Sequence, residues 1–522
     1  MIGTSRKAKI VPILILFFLF LVPNLAFSAE HHKEPIEVTP HPEANTIEIE
    51  TAVANYLFSR EGGSLRSVFL HFTSYGSKVA ELIPATTTDP ETLNRSYTQD
   101  AVFPGTLQIK GNSDQETMYE LDYTKATRYD RLEITFTGQQ NGLEITKTYI
   151  IHNDPNYTIE LDVSIKNASE TETTITENTR LMVGSRISEK PGDDVSYLSD
   201  PSVKYIYDGE VSNGIFAEGS FNTFGGAGFV GKDLVLFMKH GKIDGGTTEA
   251  GLVSPVFGNG TLSIELGKTQ LGPQESQQYE FSLYAGRRRH VLLSNVGLGL
   301  IDDIGFFSRL LVPVIGVLHQ LYKWTGNYGW AIIIFTIIIR VLLYPLMRNM
   351  YYSMAKMQEL QPKMEEIREK YDEDKKKQQE AMMELYQEEG VNPMGGCLPM
   401  FVQLPILILL WRAILYSAEQ IHLSPGFMWL PDLSLHDPFY ILVVLTVGTM
   451  ILQQQLMQTP GGGGGGGNKW LGYVFPIFMG VMLHNFPAGL WLYYFLTTLF
   501  QVGQQYFINW EMERAEAEQP SS

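Results

Sequence analysis

One arginine interrupts a long apolar stretch of this chain. Arg340 lies between Ala331 and Pro345, where almost every other residue is aliphatic or aromatic, and no Asp or Glu occurs in any apolar span. A guanidinium placed at the centre of a bilayer costs roughly 2.5 to 3.5 kcal/mol on insertion scales. We therefore expect Arg340 to face water that enters the membrane, or to meet an acid supplied by another molecule. Either case predicts a cationic cavity that receives a visiting chain.

Other apolar spans carry uncharged polar groups. They include Thr336, Gln403, the run Gln453 to Gln455, Tyr493, Tyr494 and Gln501. Each alone is typical of hydrogen bonding between membrane helices. Together with Arg340 they indicate a hydrophilic groove that faces the cytoplasm. The candidate substrate-binding residues are Arg340, Thr336, Gln403, Gln454, Tyr493 and Tyr494.

The depth of the two arginines in the apolar spans differs. If the helix at 328–347 enters from outside, Arg340 lies about 18 Å along it, past the middle of a core roughly 30 Å thick. Arg412 lies about 21 Å from the cytoplasmic end of 398–418, where its aliphatic stem can reach the external surface. Arg412 is thus expected to anchor its helix.

Composition restricts the class of protein. The chain has 522 residues and a net charge of −18, which argues against nucleic-acid binding. Its single cysteine, Cys397, excludes an intrachain disulfide. Residues 30–300 show no clusters of His, Cys and carboxylates at metal-ligand spacing, and paired carboxylates there are typical of a solvated surface. We expect no enzyme activity, metal or cofactor.

Hydropathy and charge define the membrane topology. Apolar spans fall at 328–347, 398–418, 438–457, 470–486 and 489–509. The segment 348–397 contains eight Lys and Arg residues, whereas 419–437 and 484–488 contain none. The positive-inside rule places the first in the cytoplasm and the other two outside.

The N-terminus supplies a further apolar run. Arg6, Lys7 and Lys9 precede the apolar residues 10–27, a pattern that fits either a cleaved signal peptide or a retained anchor over 1–29. Both alternatives export residues 30–300. With a retained anchor, six spans place both termini in the cytoplasm.

Period-two alternation dominates the exported region. It occurs at 47–49, 132–136, 159–165 and 262–266, with turn signals at Asn141-Gly142, Asn153-Asp154-Pro155 and Asn213-Gly214. This pattern predicts half-buried antiparallel strands. Residues 30–300 are therefore predicted to form a large β-sandwich. Because sandwiches also bind sugars, a carbohydrate-binding role stays open.

Four shorter segments connect or flank the spans. Helical spacing at 301–327 predicts a helix on the outer membrane surface, with a core helix under the sandwich as the alternative. Apolar residues spaced by three and four within 348–397 predict a cytoplasmic helical hairpin. Residues 458–469 form a Gly-rich cytoplasmic loop, and 510–522 form a short acidic tail.

Several motifs resemble a known family. They are Tyr344-Pro345, Tyr352 to Met357, Leu360-Gln361-Pro362, Val391 to Pro399, Gln403-Leu404-Pro405, Trp429, Asp432 to Ser434, Asp437-Pro438 and Phe486 to Tyr494. This set is similar to the YidC membrane insertases over 301–510. The region ahead of it, including Gly62 to Ser67, resembles the Gram-negative form of that family.

The resemblance implies a fold, a location and an activity. The fold class would be mixed: a polytopic α-helical membrane core of five helices, an N-terminal anchor helix that is retained, and a large periplasmic β-sandwich. The protein would lie in the Gram-negative inner membrane and insert and help fold integral membrane proteins. Its partners would be nascent membrane proteins, the lipid bilayer and the Sec translocon (SecYEG with SecDF), with the ribosome as a further candidate at the hairpin.

The resemblance also assigns residues. Arg340 would be the arginine of the groove, and Thr336 and Tyr494 would line the path by which a substrate helix leaves for lipid. Two departures stand out. An unbroken glycine run at 461–467 replaces a more ordinary polar loop, and the tail from Glu511 is acidic rather than basic, which argues against ribosome binding through the tail.

Two other classes compete with an insertase. A secondary transporter or channel usually needs ionisable relays in mid-membrane, and the five core spans contain no Asp, Glu or Lys. An exported sugar-active enzyme with a membrane tether would leave these five spans unexplained.

Overall fold

The structure is a computed structural model of the chain. It describes residues 35–72, 80–83, 87–88, 95–96, 101–123, 130–175, 179–185, 202–213, 223–241, 248–249, 253–258, 261–302, 306–390, 398–456 and 471–517. The chain divides into a β-rich unit, Lys33–Phe306, and a helical unit that includes Phe307–Ser522. The expected anchor at 1–29, Cys397 and the glycine run at 461–467 lie outside the described residues.

Twenty-four strands are described in the β-rich unit. They are β1 (Glu37–His41), β2 (Thr46–Glu50), β3 (Asn55–Ser59), β4 (Ser64–Leu70), β5 (Ala80–Glu81), β6 (Thr87–Thr88), β7 (Arg95–Ser96), β8 (Leu107–Ile109), β9 (Asn112–Ser113), β10 (Glu120–Tyr123), β11 (Arg131–Gln140), β12 (Leu143–His152), β13 (Thr158–Asn167), β14 (Thr173–Ile175), β15 (Thr179–Gly184), β16 (Ser202–Tyr207), β17 (Glu210–Asn213), β18 (Thr223–Val230), β19 (Leu234–His240), β20 (Thr248–Glu249), β21 (Val253–Gly258), β22 (Thr261–Leu266), β23 (Thr269–Leu271) and β24 (Ser276–Arg287).

Three larger sheets organise these strands. The largest has ten strands in the order β10-β11-β12-β13-β24-β19-β18-β16-β17, with β20 beside β18. Two five-stranded sheets have the orders β1-β2-β3-β4-β5 and β21-β22-β15-β8-β9. Two further pairs are β14 with β23 and β6 with β7. All the paired strands are antiparallel.

The alternation in the sequence explains these strands. In β11, Leu132, Ile134 and Phe136 are buried while the residues between them face outward. A two-residue loop, Asn141-Gly142, joins β11 to β12, and its φ values of 55° and 80° are the left-handed pair that tight hairpins require. The prediction of a large antiparallel β domain is confirmed.

Ten α-helices are described. They are α1 (His290–Asn295), α2 (Phe306–Thr325), α3 (Tyr328–Glu359), α4 (Gln361–Lys370), α5 (Lys375–Glu388), α6 (Leu398–Tyr416), α7 (Ala418–His422), α8 (Ile441–Leu456), α9 (Leu471–Leu483) and α10 (Ala488–Ala517). Single 3-10 turns occur at Pro42–Ala44 and Gly299–Ile301.

Two helices extend beyond the apolar spans that mark them in the sequence. Helix α3 continues from 347 to Glu359, and α10 continues from 509 to Ala517. Among the described residues, Tyr328–Met350 is the one segment long and apolar enough to cross a membrane. Shorter apolar helical segments are Val402–Tyr416, Ile441–Gln454 and Val474–Leu483.

Helices α4 and α5 pair through a small apolar core. Leu360, Met364 and Leu385 are buried against one another, and Ile367, Met382 and Tyr386 pack around them. Asp374 begins α5 by accepting hydrogen bonds from the backbone N–H groups of Lys376 and Lys377. The spacing of apolar residues in this segment thus corresponds to a real seam between two helices.

Candidate functional site

Arg340 projects from α3 into the interior of the helical unit. Its residue is only 5% exposed, and its Nη2 donates a hydrogen bond of 3.0 Å to Oε1 of Gln403 on α6. A guanidinium has five N–H donors and no acceptor. The amide of Gln403 must therefore turn its oxygen toward Arg340.

Tyr493 on α10 completes this arrangement. Nε2 of Gln403 donates to the hydroxyl oxygen of Tyr493 over 2.8 Å, and Tyr493 is 1% exposed. Three helices that are distant in sequence thus contribute one side chain each. We call Arg340, Gln403 and Tyr493 the polar triad.

The enclosure of Arg340 differs from the expectation that it faces water. Helical side chains lean toward the N-terminus of their helix, so the guanidinium extends back along α3 to the level of α6 and α10. There Nη2 donates its hydrogen bond to the amide oxygen of Gln403. The structure therefore corrects the expected exposure of Arg340, while leaving it among polar neighbours.

Thr336 and Tyr494 lie near the triad in sequence but bond elsewhere. Thr336 is fully buried, and its hydroxyl donates to the carbonyl of Ile332 within α3 at 2.7 Å. Tyr494 is half-buried, and its backbone carbonyl accepts a hydrogen bond from the hydroxyl of Thr498. Their proposed part in substrate exit stays a prediction.

Gln454 is not part of these contacts, because it lies on an exposed side of α8. Its neighbour Gln453 instead donates to Oε1 of Gln501 on α10 at 2.9 Å. One turn away, the hydroxyls of Thr449 and Thr498 are 2.9 Å apart. A second set of polar contacts, between α8 and α10, thus lies beside the triad.

Sequence reasoning missed Thr449 and Thr498 in this second set. A signal for it was present on α10, where Tyr493, Thr497, Gln501 and Gln505 recur every four residues. All four are buried. A four-residue period places side chains on one helical face, so this stripe marks the face of α10 that turns inward.

The outer surfaces of these helices are apolar. Exposed large apolar side chains are Ile338, Val341, Leu342 and Leu346 on α3, Leu404 and Ile408 on α6, Val444 on α8, and Phe475, Ile477, Phe478, Val481 and Met482 on α9. Exposed apolar area of this extent is unusual for a water-soluble monomer and typical of a surface in contact with lipid.

The loop before α8 is fixed by buried carboxylates. Asp437 is fully buried and accepts hydrogen bonds from the backbone N–H groups of Phe439 and Leu442, which caps α8. Its Oδ1 also lies 3.3 Å from the indole nitrogen of Trp429. Asp432 similarly accepts from Ser434. These motif residues shape the loop and do not contact the triad.

Among the described residues, no group of three or more His, Cys, Asp or Glu side chains could hold a metal ion. The guanidinium, amide and phenol groups of the triad offer hydrogen bonding and charge attraction. Such a site can bind an acceptor group, such as a carboxylate or a peptide carbonyl.

A different buried cation lies in the β-rich unit. Lys147 on β12 has no exposed surface; its Nζ donates to Oδ2 of Asp114 at 2.5 Å and to the carbonyl of Gly62 at 2.6 Å. The hydroxyl of Tyr119 donates to the same carboxylate, and that of Tyr149 donates to the carbonyl of Gly63. We call Lys147, Asp114, Tyr119 and Tyr149 the lysine cluster.

Burial dominates the ionisation of the lysine cluster. It lowers the pKa of Lys147, although the adjacent Asp114 carboxylate opposes this shift. Burial, with Asp114 adding to it, raises the pKa values of Tyr119 and Tyr149 above their ordinary value. Both tyrosines therefore stay neutral in the folded protein well above the pH at which exposed tyrosines ionise.

An apolar outer surface around helices that enclose an arginine is a pattern found in helical membrane proteins. Two family descriptions match the chain, "60Kd inner membrane protein" over residues 320–516 and "YidC periplasmic domain" over residues 46–209. The membrane protein insertase YidC of Methylobacillus flagellatus is 32% identical over 437 residues, which cover 77% of this chain and 73% of that relative. The chain belongs to the YidC family of membrane protein insertases.

Other similarities cover different shares of the chain. The insertase YidC of Geobacter metallireducens is 39% identical over 257 residues, or 49% of this chain and 47% of that relative. A solved structure described as an active YidC insertase with its first transmembrane domain resolved is 22% identical. It covers 95% of this chain with a TM-score of 0.47.

Proposed function

We propose that the protein inserts integral membrane proteins into the bacterial inner membrane and helps them fold. The observation that carries this proposal is the polar triad, which holds one guanidinium inside a helical unit whose outer surface is apolar. Membership of the insertase family supports the same activity.

The proposal includes a multi-pass topology. The apolar helices α3, α6, α8, α9 and α10, together with an N-terminal anchor, would cross the membrane six times. The β-rich unit would lie in the periplasm, and α4 and α5 in the cytoplasm. The apolar part of α8, Ile441–Gln454, is about 21 Å long at 1.5 Å per residue, so the bilayer would thin beside it.

Insertion would proceed by replacement of water. The polar tail of a nascent protein enters from the cytoplasm, and the donors of Arg340 together with the amides and hydroxyls on α8 and α10 replace part of its hydration. The apolar segment that follows moves sideways into lipid, gaining about 0.8 kcal/mol per buried CH₂ group. An acidic tail is attracted further, because charges interact more strongly where water is excluded.

Partners follow from this route. The substrates would be nascent membrane proteins, taken up alone or beside the Sec translocon. The paired helices α4 and α5 would form the first contact with the substrate or with the ribosome that delivers it.

Reconstitution tests the activity. A small membrane protein with an acidic external tail is synthesised in the presence of liposomes that hold only this protein, and insertion is scored by protease protection of the tail. We expect clear insertion above that of protein-free liposomes. Equal insertion in both would contradict the proposal.

Variants test the role of the triad. Arg340→Ala is expected to slow insertion of an acidic-tailed substrate several-fold more than that of a matched substrate with a neutral tail. Arg412→Ala is the matched control, because Arg412 lies exposed on α6. If both variants slow the two substrates equally, the charge of Arg340 has no special role.

A further inference from the structure

Gln403 stands where a substrate would have to bind. Its amide oxygen accepts a hydrogen bond from Nη2 of Arg340, and its amide nitrogen donates a hydrogen bond to the hydroxyl oxygen of Tyr493. We propose that Gln403 is an internal occupant of the Arg340 site, that an entering polar group displaces it, and that Tyr493 sets how firmly it is held. This inference rests on the insertase function proposed above and identifies what its substrate competes with.

The chemistry of the amide supports this role. The acceptor that Gln403 offers is a carbonyl oxygen, the same group that every peptide unit of an entering segment carries. Exchange of one carbonyl for another conserves the hydrogen bond of Arg340, so no buried donor is left unsatisfied during the exchange. A carboxylate forms a shorter and stronger bond to a guanidinium than an amide does, so acidic tails would displace Gln403 most readily.

The position of Gln403 on α6 permits the displacement. Two residues later, Pro405 lies inside the helix and has no N–H group to donate to the carbonyl of residue 401. The turn that carries Gln403 therefore lacks one backbone hydrogen bond. Gln403 is also only half-buried, whereas Arg340 and Tyr493 are buried. The middle member of the triad is thus the one with room to move outward.

Tyr493 is the member that restrains this movement. Its hydroxyl accepts a hydrogen bond from Nε2 of Gln403 at 2.8 Å. This contact also ensures that the oxygen of the amide, and not its nitrogen, points toward Arg340. Loss of the hydroxyl leaves Arg340 in place and removes the hydrogen bond that Gln403 donates to Tyr493. Tyr493 is therefore a positioning residue that tunes the competition between Gln403 and the substrate.

The first test is Tyr493→Phe in the full-length protein reconstituted in liposomes. Because a neutral hydrogen bond is removed from the occupant, insertion of an acidic-tailed substrate at limiting concentration should rise by roughly two- to tenfold. Tyr506→Phe is the control, since it removes a hydroxyl from the same helix outside the triad. If Tyr493 has only a structural role, Tyr493→Phe should lower the insertion rate. An insertion rate equal to or below that of wild type would therefore overturn the inference.

A second variant keeps the test independent of Tyr493. Gln403→Glu gives Arg340 a charged occupant that an acidic tail displaces poorly, so insertion of that substrate should fall to the level of Arg340→Ala. Unchanged insertion by Gln403→Glu would also overturn the inference.

A double mutant separates the inference from a general effect. In an Arg340→Gln background the site has no guanidinium to compete for, so Tyr493→Phe should no longer change the rate. A persistent increase would show that Tyr493 acts elsewhere. The proposed function fails in a different way, namely when wild type inserts no more substrate than protein-free liposomes do.

Discussion

Both units of this protein bury a cation, but they stabilise it in different ways. In the β-rich unit, Lys147 meets a carboxylate, and neither group has exposed surface. In the helical unit, Arg340 donates to a neutral amide that is itself half-buried. The lysine cluster is closed and fully paired, as expected of a group that holds strands together. The polar triad contains a partner that can be exchanged, as expected of a binding site.

The difference shows that the partner of a buried charge indicates whether that charge stabilises the fold or forms a binding site. A buried ion pair is strongly destabilising when one partner is removed, because the other charge is then left in a medium of low dielectric constant. An arginine whose hydrogen-bond partner is a neutral amide loses no counter-charge when that amide moves away. If this contrast holds, it has four measurable consequences, of which the loss of Asp114 has the largest effect.

Asp114→Ala should destabilise the β-rich unit by about 3–5 kcal/mol, because it leaves the ammonium of Lys147 buried without its counter-charge. The measurement is amide hydrogen exchange of β12 in the full-length protein. Asp122→Ala, an exposed carboxylate on β10, should change stability by no more than about 0.5 kcal/mol. Similar exchange rates in the two variants would show that the ion pair between Asp114 and Lys147 does not stabilise the β-rich unit.

Gly105→Ala should destabilise the same unit by about 1–3 kcal/mol more than Gly111→Ala. Both glycines have a left-handed backbone, with φ of 86° and 84°, so the cost of backbone strain is shared. A Cβ at Gly105 would lie 2.0 Å from the hydroxyl of Tyr149, whereas one at Gly111 meets nothing within 4 Å. Thermal denaturation of the two variants compares them, and equal midpoints would mean that Tyr149 can move aside.

Alkaline pH should weaken the lysine cluster through its tyrosines. The pKa of Tyr149 is raised in the folded state, so the unfolded chain loses this proton first as the pH rises above 10. The free energy of unfolding then falls by up to about 1.4 kcal/mol per pH unit for this tyrosine. Tyr149→Phe should remove that part of the slope between pH 10 and 11 in urea denaturation. An unchanged slope would contradict the burial of Tyr149.

Arg340→Met should have the smallest effect on stability. Replacement of a buried charge by an apolar side chain of similar length is often neutral or stabilising, so the helical unit should change by less than about 1 kcal/mol. Thermal loss of helical circular dichroism in detergent measures this. A loss of stability as large as that expected for Asp114→Ala would show that Arg340, like Lys147, is buried mainly to stabilise the fold.

Much of the β-rich unit was predictable because its strands alternate strictly. Leu132, Ile134 and Phe136 sit on the buried face of β11, and Asn141-Gly142 predicts the turn that follows. The partners of distant strands were not predictable. Strand β24 pairs with β13 across more than a hundred residues, and alternation carries no information about which strand lies alongside.

The helical site was predictable in part. Arg340 is conspicuous because a charge in an apolar run is costly, and the sequence pointed to Gln403 and Tyr493 as polar neighbours. It did not predict that the three would bond to one another and enclose the guanidinium. It also did not separate Gln453 from Gln454, because three consecutive glutamines leave the inward face of α8 undefined.

Helix α3 is continuous from Tyr328 to Glu359, a rod about 48 Å long that carries Arg340 near its middle. One joint interrupts it, because Pro345 cannot donate to the carbonyl of Val341. The missing backbone hydrogen bond makes this the point at which α3 bends most easily. A bend of α3 at this point would therefore move its C-terminal turns relative to Arg340 while the hydrogen bonds of the polar triad stay in place.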